Sequence, residues 1–347
     1  MKILAIFLII IILMTSIQIK FKSSYISPID YYTSSSRIGI DLPPRRMWGW
    51  GSENNKMNGY CGETSVQTVG LYYGNYISQG IIIQVSGGKS LLLGNNSDTK
   101  ACNALNFINT SKKVAYSIDD FRKFLQSTNM PIIMGWYDWI GDDSNVSTYD
   151  HIIVIKGFDN NSDTIYYNDH FLLDDSISPL TEIFKTRNEC KTDDESVVPP
   201  YVFCAPNVVN KTCPSFGDCS NSGQCYCTYV LLITGNVDPL GELLPFQLFS
   251  DRPDEPDWGQ QDGLNMSPVS LNFSALVSGL KVGKSYTLLR FDNYTKVPKN
   301  GFKNNIGTED MKYVFTASST STTLSSIPIL SQGVLSNGSY FYRCIQS

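Results

Sequence analysis

Histidine is almost missing from this chain: His151 and His170 are the only two among 347 residues. A histidine-rich metal centre is excluded, and any imidazole chemistry has two candidates. Charge is sparse as well, at 17%, and Asp+Glu (32) outnumber Lys+Arg (27). No basic surface for nucleic acid is indicated by these totals. Neither a glycine-rich phosphate loop nor a cofactor motif occurs, so no cofactor is expected, and no periodic repeat is present. What remains is a globular composition, 42% hydrophobic and 12% aromatic. At roughly 100–200 residues per domain, the length suggests two domains.

The start of the chain sets a compartment. Met1-Lys2 precedes an uncharged apolar run from Ile3 to Met14, and the next charge is Lys20. That pattern fits a signal peptide over 1–22, with an uncleaved membrane anchor as the alternative. The expected location is extracellular, or anchored with the C-terminal part outside the cytoplasm or in a secretory lumen. Asn-x-Ser/Thr sequons at Asn95, Asn109, Asn145, Asn160, Asn210, Asn265, Asn272, Asn293 and Asn337 agree with a glycoprotein. So does cysteine usage. Cys213, Cys219, Cys225 and Cys227 crowd together without the Cys-x₂-Cys pairs that zinc requires, so disulfides are expected and no metal.

Patterning divides the chain further. Residues 23–45 read as an extended lead-in ending at Pro43-Pro44, and 46–250 as a mixed α and β unit with a Cys-rich insertion at about 185–227. Val66, Val69, Tyr73 and Tyr76 share one helical face. Ser117 caps a short helix through Phe121, Phe124 and Leu125. Pro131–Met134, Ile152–Ile155, Thr164–Tyr167 and Tyr229–Thr234 read as strands, the middle two forming a hairpin. Residues 251–347 read as all strand: Val269–Phe273, Ser285–Phe291, Lys312–Ala317 and Tyr340–Cys344, a β-sandwich. The fold class is therefore α+β followed by a smaller all-β domain.

Nine cysteines is an odd number. Cys61, within Gly59-Tyr60-Cys61-Gly62-Glu63-Thr64, opens the first helix, where unpaired N–H groups and the dipole favour thiolate. Left free, it lets the other eight pair as four disulfides. From position alone, a paired Cys61 with another cysteine odd is equally open. His151 heads the most apolar strand and suits a general base for a thiol. If the hairpin's pairing sum is even, Asp169 lies on the face of His151 and can orient the ring, while His170 points away. A loop one residue different puts Asn168 there instead.

These residues resemble the C39-like group of papain-like cysteine peptidases. The resemblance rests on Gly59–Thr64, on Ser117–Phe121 with Met130–Ile133, and on Asp150–Asp159 with Thr164–Asp169. It implies a papain-like fold, a Cys61 nucleophile, a His151 base, an Asp169 orienter and a peptide or protein substrate. The family's oxyanion-donating Gln, six residues before the Cys, is here Asn55, and His170 replaces a Pro after the Asp. Leu280-x-x-Gly283-x-x-Tyr286 resembles a fibronectin type III turn. Three functions stay open: a secreted thiol hydrolase, chiefly a peptidase; a catalytically weak or inactive extracellular binding scaffold; and a related transglutaminase-like or amidase enzyme.

Overall fold

The computed structural model describes residues 37–42, 45–46, 60–87, 97–114, 118–128, 130–138, 149–170, 175–180, 228–253, 260–261, 264–265 and 267–347. The N-terminal segment, Asn55, Ser117 and the Cys-rich insertion lie outside these residues. Among the described residues no helix is long and apolar enough to cross a membrane.

A seven-stranded antiparallel sheet organises the first part. Its order is β3 (Phe107–Val114), β8 (Thr228–Asn236), β4 (Ile132–Asp138), β5 (Tyr149–Asp159), β6 (Thr164–Asn168) and β7 (Asp175–Pro179), with β1 (Arg37–Gly39) also beside β5. The central strands are apolar on both faces, as a doubly covered sheet requires. One face carries Ile132, Met134, Ile153, Ile155, Val230 and Leu232 against Phe121 and Leu125 of an amphipathic helix, α4 (Ile118–Ser127). The other carries Ile133, Ile152, Val154, Leu231 and Ile233 against Val66 and Val69 of α1 (Cys61–Tyr72). The lead-in joins the sheet: Gly39 pairs with Gly157, and Ile40 and Leu42 are buried.

The first helix is shorter than its 3,4,3 spacing predicts. It ends at Tyr72, and Tyr76 falls in a strand, β2 (Asn75–Ile77). Gly74 makes the break, with φ +76° and so little room that a Cβ there would stand 2.6 Å from Phe246 Cδ1. The helix is also not amphipathic. Every residue from Cys61 to Tyr72 is buried, because a second layer of strands covers the face turned away from the sheet. α2 (Gln79–Ser86), capped by Ser78 on Ile81 N, and α3 (Ser97–Ala104) complete this layer.

That second layer belongs to the C-terminal strands. A three-stranded sheet, β15 (Ser321–Leu324), β12 (Phe273–Ser278) and β9 (Phe246–Ser250), faces a four-stranded one, β14 (Met311–Thr316), β13 (Ser285–Phe291), β16 (Ser339–Gln346) and β2. Their shared core holds Leu248, Phe273, Val277, Tyr286, Leu288, Tyr342 and Cys344. β9 lies ahead of residue 251, where the composition changes, yet it pairs with β12. β2 comes from beside the helix of Cys61, and Tyr340 pairs with Tyr76. The strand expected at Val269–Phe273 runs later, since alternating burial continues from Phe273 to Ser278. In the Leu280–Tyr286 turn, Gly283 takes φ +77° and Lys281 N–H donates to the Tyr286 hydroxyl at 2.6 Å. This is a tyrosine folding back on its own strand entry.

Candidate active site

Cys61 occupies the first position of α1 and is 1% exposed. No side chain caps this helix; the turn is closed by Thr64, whose N–H and hydroxyl both donate to the Tyr60 carbonyl. The helix start was expected to draw the thiol toward thiolate. Here the opposite holds. Burial, and then the Glu63 carboxylate, push the Cys61 pKa from its ordinary 9.0 up to about 12. Backbone N–H groups of Ile152, Gly62 and Cys61 itself pull the other way without prevailing. The desolvation of a fully buried thiolate outweighs the fixed dipoles.

Ile152 is the informative neighbour, because it shares a buried cluster with Cys61 and its N–H acts to lower the pKa of the thiol. The nucleophile candidate therefore lies against the head of β5, one residue from His151. His151 itself pairs through its backbone with Trp136 of β4. On the other side of β5, β6 reaches only as far as the Val154–Asn168 pair, so the strand's edge beside Ile152 is not covered by β6.

The hairpin register separates the remaining candidates. Val154 faces Asn168 and Ile155 faces Tyr167, but Gly157 faces Tyr166, so Lys156 is an extra residue in the ladder. Continuing the register before that bulge sets Asp169 opposite Ile153, on the side of β5 that bears His151. Asp169 is half-buried and follows β6 directly. Asn168, the alternative orienter, falls with Ile152 and Val154 on the side that packs against α1. It is 2% exposed, and its amide makes no hydrogen bond among the described residues.

His170 also lies on the α1 side. It points away from the side of Asp169 and is 1% exposed, with Nε2 2.9 Å from Ser65 Oγ. Sequence reasoning passed over Ser65; a polar residue one turn beyond a candidate nucleophile was the available signal. Further along the helix, Gln67 donates to Ile77 O at 2.9 Å and accepts from Gln79 Nε2 and Arg45 Nε, both at 3.3 Å. Arg45, in the lead-in, also reaches Arg252 O at 2.7 Å.

The cysteine expectation needs a correction. Cys61 is a thiol, but so is Cys344, buried in β16 within the sandwich core. The other eight cysteines therefore do not pair as four disulfides. Cys190, Cys204, Cys213, Cys219, Cys225 and Cys227 lie outside the described residues, as does Asn55. Among the described residues no cluster of ligands fit for a metal ion occurs.

A thiol at a helix start, packed against the strand that carries a histidine, is similar to the arrangement of papain-like cysteine peptidases. The family of the papain-like cysteine protease AvrRpt2 matches residues 52–173. That stretch contains Cys61, His151 and Asp169 and stops well before the C-terminal strands. It supports the papain-like class and a protein substrate, but not the narrower C39-like group, and it does not reach the fibronectin-like turn. No curated protein matches the chain.

Proposed function

We propose that the chain is a secreted cysteine peptidase using Cys61, His151 and Asp169. The observation that carries this reading is the packing of α1 on β5, with Cys61 and Ile152 in one buried cluster and His151 the residue next to Ile152. The Cys61 sulfur attacks the scissile carbonyl carbon, and its proton passes to His151. The oxyanion that forms is met by the backbone N–H of Cys61 and by Asn55. Collapse breaks the C–N bond, and the His151 proton leaves with the amine. Water, deprotonated by His151, then opens the thioester, releasing the acid and restoring the thiol. Because Cys61 rests as a neutral thiol, the base has to take its proton during the reaction. Asp169, on the same side of the hairpin by register, steadies the imidazolium.

The test is turnover of an unfolded protein such as casein by the secreted protein. Cys61→Ala is expected to remove activity, and His151→Ala to lower it by ~10²–10⁴. Full activity in Cys61→Ala would sink the reading. Inactivity of the wild type would favour the binding scaffold, consistent with Asn55 standing where the family places Gln. Secretion is supported by the sequons, of which Asn160, Asn272 and Asn293 are exposed. N-terminal sequencing of secreted material separates a cleaved signal from an anchor.

A further inference from the structure

His170 stands next to the proposed orienter but on the other side of the hairpin, against α1. Its Nε2 lies 2.9 Å from Ser65 Oγ, and Ser65 donates its hydroxyl hydrogen to the Cys61 carbonyl at 2.8 Å. A hydroxyl has one hydrogen, so Ser65 can only accept from the ring, and Nε2 carries the donated proton. All three residues are buried. The ladder between β5 and β6 ends at the Val154–Asn168 pair, so its bonds do not extend to Asp169 and His170. A leucine would fill the same space, but it could not bond α1.

We infer that His170 and Ser65 form a buried strut that positions Cys61, tying the chain just past Asp169 to the carbonyl of the nucleophile itself. The inference rests on Cys61 being the nucleophile. It makes His170 a positioning residue: its bonded nitrogen donates to Ser65 and is not the one that could accept a proton.

The test is the pH profile of Cys61 alkylation by iodoacetamide in the full chain, read by mass spectrometry of the Cys61 peptide. Ionisable groups on the elements around Cys61 are Tyr60 just ahead of α1, Glu63 on α1, Asp169 and His170 after β6, and His151 at the head of β5. Ser65→Ala leaves all of them in place, so a shift in that variant reports position and not lost charge. With the strut gone, water reaches a thiol whose raised pKa comes first from burial. Ser65→Ala and His170→Leu are each expected to speed alkylation at pH 8 about tenfold, with the profile about one unit lower. The double variant should go no further, because both remove one bond. His170→Gln, whose Nε2 offers a donor at the same reach, should behave as the wild type. Unmoved profiles in Ser65→Ala, additive shifts, or His170→Gln matching His170→Leu would each overturn the strut. Should His170→Leu not fold, as read by its thermal transition, Ser65→Ala and His170→Gln carry the test. Retained turnover in Cys61→Ala would refute the peptidase reading alone, without moving any of these alkylation outcomes.

Discussion

A cysteine whose burial outweighs its helix is a titration problem with a definite sign. The folded pKa of Cys61 lies near 12, above its ordinary 9.0. Folding therefore favours the neutral thiol. That preference is complete below pH 9 and is lost as the pH climbs toward 12. Relative to Cys61→Ala, the wild type should lose about 1.4 kcal/mol of stability per pH unit above 9. Urea midpoints of both proteins at pH 8 and pH 10 measure this, and a constant gap between them would contradict it. The odd cysteine count was no guide, since Cys344 is a thiol as well, whereas the place of Cys61 at a helix entry was legible in the sequence. Its resting state was not, because burial on every side of α1 depends on strands far away in the chain. Nor was Ser65 legible, since nothing in a local pattern tells that a helix serine will meet a histidine about a hundred positions later.

At the scale of elements, α4 and the hairpin offer contrasting costs. Phe121 and Leu125 are buried where α4 docks on the sheet, whereas Arg122 bridges Asp163 at 2.6 Å with each side chain about 30% exposed. Leu125→Ala should cost about 2–5 kcal/mol and Arg122→Ala less than about 1 kcal/mol. Thermal or urea unfolding distinguishes them, and equal losses would mean that α4 is held by charge. These elements were readable because amphipathic spacing and alternating runs are local. β13 matches its reading from Ser285 to Phe291, and the hairpin of β5 and β6 appears where its turn residues lie. The bulge at Lys156 was not readable. It changes the pairing parity halfway along the hairpin, so a face assigned from the loop end differs from the face beside His151.

For the molecule as a whole, the sequence suggests two units in succession, and the structure interleaves strands between them. Phe291, Phe341 and Ile345 share a buried cluster with Cys61, Val66 and Val69. Arg343 of β16, 1% exposed, donates to Asn75 Oδ1 of β2 at 2.6 Å. A chain ending at residue 250 would bare β2 and one side of α1. It is expected to be soluble only as a loosely packed or aggregated species, without the near-ultraviolet circular dichroism of the full chain. A truncated protein with a sharp thermal transition and native-like proteolytic resistance would show that the sandwich is dispensable.

The pairing of β2 with β16 also sets an order in time. Asn75 and Arg343 are 268 residues apart in the chain. At a synthesis rate of about 5–20 residues per second, the helix that carries Cys61 waits roughly 13–54 s on the ribosome before the strand that backs it exists. Closing a loop of that length is among the slow steps of folding. Cys61 is thus set in its final surroundings late, after the histidine strand and the hairpin have already been made, and the emerging chain spends its synthesis without the finished surroundings of that thiol.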